Sequence, residues 1–87
     1  MDFEYNLEKS AINLQKHGID FEQAKVLWDD PRMAEVLAKN LDEPRSLIIG
    51  RIGEKYWSAV VTPRGKSIRI ISVRRSRQKE IELYESA

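Results

Sequence analysis

The chain has 87 residues, with 15 Lys or Arg against 14 Asp or Glu and a net charge of +1. This length allows one compact domain with a modest core, so any site is expected on the surface or in a shallow cleft. The sequence has no cysteine and one histidine, which excludes disulfides, thiol nucleophiles and Cys- or His-rich metal sites, and it indicates no cofactor. Residues 1–6 are acidic and lack an apolar run, so we expect no signal peptide, no membrane span and a cytoplasmic location.

The near-neutral total hides a strong separation of charge. Residues 1–43 hold five bases and ten acids, whereas residues 44–87 hold ten bases and four acids. Between Arg45 and Lys79 there are ten bases and one acid, Glu54. Clustered guanidiniums bind phosphate both as charges and as planar donors, so this half suits a nucleic acid. The alternative is that these charges form the solvated face of a half-buried sheet.

The pattern of the first half of the chain predicts mainly helices. Residues 3–5 predict a short strand, Asn6 is a competent N-cap, and Gly18 ends the helix that follows. Leu7, Ala11 and Leu14 recur on one stripe of that helix. Asp20 with Gln23 three residues later predicts a capping box for the next helix. The buried face of this second helix is predicted to comprise Phe21, Ala24, Leu27 and Trp28.

The second half reads as strands. Residues 32–41 lie between two turn signals, and local pattern leaves helix and strand open there. Residues 45–52, 55–62 and 66–75 are rich in Ile and Val and predict three strands, joined at residues 53–54 and 63–65. Ser76 is a candidate cap for a final helix that docks through Ile81 and Tyr84. The pattern therefore predicts a single α+β domain.

Several segments, taken together and in order, resemble the BrnT toxin family. They are Phe3-Glu4-Tyr5-Asn6, Lys9, Asn13, Lys16-His17-Gly18-Ile19, Phe21-Glu22-Gln23-Ala24, Thr62-Pro63-Arg64-Gly65, Arg69-Ile70-Ile71-Ser72-Val73-Arg74 and Tyr84-Glu85. The chain departs from the family pattern where Tyr5-Asn6 replaces Trp-Asp and Gln23 replaces Glu. The joint spacing over one small domain is specific, although each piece alone is weak.

The resemblance implies a RelE-like fold, with small helices on an antiparallel sheet, over residues 1–87, and it makes residues 32–41 a strand. It also implies a ribosome-independent endoribonuclease toxin, neutralised by a BrnA-like antitoxin with a ribbon-helix-helix part. DNA would then be bound only by the complex, through the antitoxin. We expect a hetero-oligomer with at least two toxins on two antitoxins.

The chemistry of metal-free RNA cleavage points to the arginines. It needs the 2′-hydroxyl aligned on phosphorus, stabilisation of phosphorane charge and a proton donor for the 5′-oxygen. Arg64, Arg69 and Arg74 are the candidates for charge stabilisation. Strict alternation places Arg69 and Arg74 on opposite strand faces, so they share a cleft only if the strand twists or bulges between them. The candidate RNA-binding residues are Ser72, Arg75, Lys16 and Lys66.

His17 is the candidate acid or base, because its unperturbed pKa lies near neutrality. It has a structural alternative, since an imidazolium at a helix C-terminus caps carbonyls. Two function classes therefore compete. One is an endoribonuclease toxin, and the other is a non-catalytic module that binds nucleic acid or protein through its basic strand face. A metal-dependent nuclease is a weaker third class, because the basic surface offers only Glu54 as a carboxylate.

Overall fold

The computed structural model describes residues 1–38 and 43–86. These residues form five strands and three α-helices, with a 3-10 helix, Lys25–Asp29, directly after the second α-helix. The strands are β1 (Asp2–Glu4), β2 (Ala34–Ala38), β3 (Arg45–Ile52), β4 (Lys55–Arg64) and β5 (Ser67–Arg75). The helices are α1 (Leu7–His17), α2 (Phe21–Ala24) and α3 (Gln78–Glu85). The predicted α+β class is confirmed. None of the described helices reaches the length and apolarity needed to cross a membrane.

The strands form one sheet in the order β1-β5-β4-β3-β2. Only the pairing of β1 with β5 is parallel, and the other three pairings are antiparallel. The ambiguous segment is thus a strand over residues 34–38, as the resemblance implied, while residues 39–41 lie outside the described part of the chain. The three neighbouring strands β3, β4 and β5 contain Ile or Val, as β-propensity favours.

The main core lies between one face of the sheet and the N-terminal helices. Phe21, Ala24 and Leu27 are fully buried against it, and Trp28 packs edge-to-face on Phe3 with ring centroids 4.8 Å apart. The predicted capping box is present, because Asp20 accepts from the Gln23 amide and the Gln23 side chain accepts from the Asp20 amide. We call this face of the sheet the helix face.

Helix α1 packs through polar side chains and not through its apolar stripe. Ser10 and Asn13 are the buried residues of this helix. Asn13 donates to the carbonyls of Ile19 and Val73 and accepts from the Val73 amide, which joins α1 to β5. The stripe is left in solvent, with Leu7 at 77% and Leu14 at 44% exposure. Periodicity predicts which residues form the stripe. The orientation of α1 is set instead by Asn13, because its side chain pairs with buried backbone groups of Ile19 and Val73 that would otherwise lack partners.

Helix α3 covers part of the opposite face of the sheet. Ile49 of β3 is fully buried there, and Tyr84 of α3 meets Tyr56 of β4 edge-to-face with centroids 5.5 Å apart. The Tyr84 hydroxyl donates to Asp30, which also accepts from two backbone amides. Burial alone would raise the pKa of Asp30, but these hydrogen bonds outweigh it and the pKa is lowered.

The predicted boundaries at the β4–β5 turn and at the start of α3 are wrong by one or two residues. The β4–β5 turn is Gly65-Lys66, with Gly65 at φ 60°, so Pro63 lies inside β4. A two-residue hairpin turn with a left-handed first residue fits the twist of the strands better than a longer loop. The N-cap of α3 is Arg77 and not Ser76, whose hydroxyl instead contacts the Ser58 hydroxyl at 2.7 Å.

Candidate active site

The central feature of the site is a β-bulge in β5. Val60 of β4 is paired with Ser72, but the next residue, Val61, is paired with Ile70. Ile71 is therefore an extra residue without a partner on β4. Such a bulge reverses the alternation of side chains on the strand that carries it. The residues before Ile71 and those after it therefore follow different alternation patterns, and the sheet face of each group is read from its own pairing with β4.

This reversal brings the predicted arginines together. Strict alternation would place Arg69 and Arg74 on opposite faces, and the bulge between them is the irregularity that the sequence prediction required for them to share one. Both arginines now share the sheet face opposite the helix face, together with Ser72 and with Arg64 at the end of β4. We call this set, Arg64, Arg69, Ser72 and Arg74, the arginine face. The register that defines it pairs Arg64 with Ser67, Thr62 with Arg69, Val60 with Ser72, and Ser58 with Arg74.

Arg74 is held by a carboxylate. Its two terminal nitrogens donate to the two oxygens of Glu80, at 2.8 Å each. Glu80 also accepts from the Ser58 hydroxyl and from the Arg77 amide. The hydrogen bonds from Arg74 are the largest cause of the low pKa of Glu80, which is about 2. The same pairing raises the pKa of Arg74. Arg74 therefore remains cationic, but its charge is largely balanced.

The other two arginines are freer. Arg69 is 3.5 Å from Glu4, at the long limit for a hydrogen bond, and its side chain is 32% exposed. Arg64 is exposed, and within the described part of the chain no carboxylate is paired with it. Lys66, also exposed, follows in the same hairpin. Arg64, Arg69 and Lys66 thus carry most of the unbalanced positive charge at this end of the sheet.

The remaining predicted residues lie on the helix side. Arg75 follows Arg74 directly but points to the other face, where its guanidinium carbon is 5.5 Å from the centre of the Trp57 ring. Lys16 and His17 are exposed at the end of α1, which packs on the helix face. Among the described residues the His17 side chain has no hydrogen bond, and the helix is closed by the Gly18 amide bonding to the Leu14 carbonyl. The structure does not bring Lys16, His17 or Arg75 to the arginine face.

Glu80 and Ser58 belong to this site but were not predicted. A carboxylate at the third position of a helix is a usual capping residue, so Glu80 looked like a local feature of α3. The register that puts Ser58 opposite Arg74 depends on the bulge. A signal existed in the sequence, because Glu80 is the first acid after the run of bases.

The arrangement suits binding of a phosphate-bearing chain. The exposed guanidinium of Arg64, the half-buried guanidinium of Arg69 and the Ser72 hydroxyl offer charge and directed donors to phosphate oxygens on one sheet face. Across residues 1–38 and 43–86 no group of three or more acids and histidines is placed to hold a metal ion. The four residues of the arginine face are spread along β4 and β5, which suits a strand with several phosphates better than a small molecule.

Comparison with known proteins identifies the family. The sequence model of the family described as "Ribonuclease toxin, BrnT, of type II toxin-antitoxin system" matches residues 5–80. This span includes the whole arginine face and its partner Glu80. No curated protein matches the chain significantly.

Proposed function

Since the chain belongs to the BrnT family of ribonuclease toxins of type II toxin-antitoxin systems, we propose that it cleaves RNA by itself, without a ribosome or a metal ion. The reaction proposed is transesterification within the RNA. The 2′-oxygen attacks the adjacent phosphorus, the bond to the 5′-oxygen breaks, and the proton lost by the 2′-hydroxyl is balanced by one gained by the leaving oxygen. The products are a 2′,3′-cyclic phosphate and a 5′-hydroxyl.

The observation that carries this proposal is the bulge at Ile71. It leaves Arg69, Ser72 and Arg74 on one face with Arg64, so their donors are available along the same side of the sheet for the backbone of an RNA strand. In this proposal Arg64 and Arg69 stabilise the negative charge that develops on the phosphorane oxygens. Ser72 and Lys66 bind the neighbouring backbone. Arg74, fixed by Glu80, positions that end of the face and offers its remaining N–H groups.

The roles of the helix-side residues stay predictions. An acid or base role for His17 in this chain is not supported by its position, because α1 lies across the sheet from the arginine face. The same holds for phosphate contacts by Lys16 and Arg75. These three residues would meet RNA only if the strand passed around the edge of the domain.

The family implies an antitoxin partner. We propose that it is BrnA-like, that it contributes a ribbon-helix-helix DNA-binding part, and that the complex rather than this chain binds DNA. An assembly of two toxins with two antitoxins follows from such a dimeric part. The proposal treats residues 1–87 as one toxin domain acting in the cytoplasm, where its RNA substrates lie.

The Arg74–Glu80 pair supports a second candidate function, which is binding without catalysis. If the basic face only binds RNA or an acidic protein, an arginine at one end whose charge is balanced is no disadvantage, because binding does not need free charge at one reacting phosphate. On this alternative the protein is a non-catalytic module. Membership of a ribonuclease family argues against it.

The deciding experiment is incubation of the purified chain with unstructured RNA in excess EDTA, followed by analysis of the product ends. We expect cleavage to persist, to spare DNA, and to leave 2′,3′-cyclic phosphate or 3′-phosphate with 5′-hydroxyl ends. The matched control is the same RNA with 2′-O-methyl groups, which should stay intact. Loss of cleavage in EDTA with recovery in magnesium would reject the mechanism, and binding without cleavage under all conditions would favour the second candidate.

A further inference from the structure

A further arginine, Arg45, lies on the side of the sheet that carries the arginine face. Arg45 is the first residue of β3, and the unbroken register of β3 with β4 pairs Ser46 with Val61. Val61 belongs to the core under the helices, so alternation directs Arg45 to the opposite face. Thr62, the next residue of β4, therefore lies between Arg45 on one side and its partner on β5, Arg69, on the other.

A hydrogen bond fixes the start of β3 beside β4. The Thr62 residue is 1% exposed, and its hydroxyl donates to the Pro44 carbonyl at 2.6 Å. On its other side, Arg45 is paired with Ala38 of β2. Two strand spacings separate Arg45 from Arg69, which is about 10 Å between their backbones. Side chains as long as arginine, at that separation, can contact neighbouring phosphates of one RNA strand.

The guanidinium of Arg45 is poorly satisfied by the chain itself. Its terminal nitrogen is 3.7 Å from a carboxylate oxygen of Glu43, beyond ordinary hydrogen-bond distance, and the two side chains are 39% and 37% exposed. Such an ion pair contributes little to stability. The Arg45 Nε–H is buried, and within residues 1–38 and 43–86 no acceptor is bonded to it. Folded proteins leave few buried donors in this condition, because each one costs stability.

We propose that Arg45 is a further RNA-binding residue, which holds a phosphate next to the one on which Arg64 and Arg69 act. Rotation of its long side chain presents Nε and a terminal nitrogen together to two oxygens of one phosphate. The buried donor thereby gains the acceptor that the free chain does not supply. The inference rests on the proposed function and deepens it, because it makes the substrate a strand with at least two adjacent phosphates.

Two other roles for Arg45 fit less well. A structural ion pair would need closer contact with Glu43 than 3.7 Å, and it would leave the Nε–H unsatisfied. A direct part in cleavage would place Arg45 near Ser72 and Arg74, but both lie on β5, which is separated from β3 by β4. The position therefore favours binding of the strand beside the reacting phosphate.

The test measures binding of a single-stranded RNA oligomer with 2′-O-methyl groups, which the proposed mechanism cannot cleave. Kd is measured from about 50 to 200 mM salt, where each phosphate contact adds about 0.7 to the slope of log Kd against log salt concentration. Arg45→Gln should lower that slope by about 0.7 and raise Kd about fivefold or more. Arg45→Lys keeps the charge but loses the paired donors, so it should keep the slope and raise Kd about threefold.

The matched control is Arg51→Gln. Arg51 lies on the same face of the same strand but at the other end, where its Nε donates to the Gly53 carbonyl. The variant removes an equal charge and should leave the slope within about 0.2 of the wild-type value. Thermal unfolding of each variant shows whether folding is kept, and the Kd of Arg45→Lys decides the matter if Arg45→Gln does not fold.

Cleavable RNA separates this inference from the proposed cleavage. At low RNA concentration Arg45→Gln should cleave more slowly than wild type, and a saturating concentration should recover most of the rate. Binding that depends on Arg45 without any cleavage would reject the proposed cleavage and still support this inference.

Four results would overturn the inference. The first two are a wild-type chain that does not bind the oligomer and an Arg45→Gln variant whose salt slope is unchanged. The third is weakened binding of the antitoxin by Arg45→Gln with normal RNA binding, which assigns Arg45 to the partner protein. The fourth is a saturated cleavage rate lowered about 100-fold, which assigns Arg45 to catalysis.

Discussion

Arg74 and Glu80 join β5 to α3 through two hydrogen bonds of 2.8 Å between a guanidinium and a carboxylate. The side chains are 25% and 12% exposed, so water screens the pair only in part. The same carboxylate accepts the Ser58 hydroxyl and the Arg77 amide, which begins the helix. One charged group therefore fixes the start of α3, the end of β5 and the orientation of a candidate site residue.

The first prediction concerns the stability that this pair supplies. Glu80→Gln should lower the free energy of unfolding by about 1–3 kcal/mol at pH 7. The folded pKa of Glu80, about 2, lies below its ordinary value of 4.5, so its contribution is present above pH 4.5 and is lost as the pH falls toward 2. Denaturant unfolding of wild type and variant between pH 7 and pH 2 should show the difference shrinking over that range.

The control for this measurement is Glu54→Gln, an exposed carboxylate in the β3–β4 turn. It should change stability by less than about 0.5 kcal/mol at any pH. A Glu80→Gln deficit that stays constant from pH 7 to pH 2 would show that the carboxylate charge is not what stabilises the helix.

The second prediction separates catalysis from binding on the arginine face. Arg69→Ala and Arg64→Ala should each lower turnover by about 10²-fold or more while RNA affinity falls less than about tenfold, because the charge they stabilise develops in the transition state. Single-turnover kinetics and a direct binding assay measure the two quantities. Arg51→Ala is the control, since Arg51 donates to the Gly53 carbonyl at the other end of the sheet. Normal turnover in both variants would reject the assignment.

The third prediction concerns His17. His17→Ala should change turnover on RNA less than about threefold, because α1 and the arginine face lie on opposite sides of the sheet. It should also change the melting temperature little, since Gly18 already closes the helix. Rate measurements from pH 5 to pH 9 check the first point. A loss of turnover well beyond threefold in this variant, with normal folding, would restore the acid–base hypothesis.

The fourth prediction tests the polar packing of α1. Asn13→Ala should lower the free energy of unfolding by about 2–4 kcal/mol, because it leaves buried backbone groups of Ile19 and Val73 without partners. Gln15→Ala, an exposed change in the same helix, should cost less than about 0.5 kcal/mol. Chemical denaturation provides both values. Equal stability of the two variants would mean that the Asn13 hydrogen bonds contribute nothing net.

Local signals in the sequence predicted most of the fold. The Asp20 capping box, the Gly18 helix end and three of the strands depend on neighbouring residues, and all are present in the structure. The orientation of α1 was not predictable from its own stripe, because Asn13 bonds to a strand 60 residues later. Periodicity reports which residues share a side, but only tertiary contacts decide which side is buried.

The site was predictable in composition but not in arrangement. The arginines could be identified from their charge and from the family resemblance, whereas their common face depends on one unpaired residue, Ile71, that alternation cannot reveal. Glu80 was missed for a related reason. Its role as a helix cap is local and visible, but its bond to Arg74 joins two elements.

The bulge at Ile71 also has a consequence for comparing sequences of relatives. Arg74 and Arg75 are consecutive, yet they belong to opposite surfaces, one beside Glu80 and the other over Trp57. Consider a relative that has one residue fewer between Ile70 and Arg74. Its sequence would align with this one through a single gap, but without the bulge the residues aligned with Arg74 and Arg75 would each lie on the other face of the sheet. Positions after the bulge are therefore equivalent between two chains only when both retain the extra residue, so strand length is as informative here as residue identity.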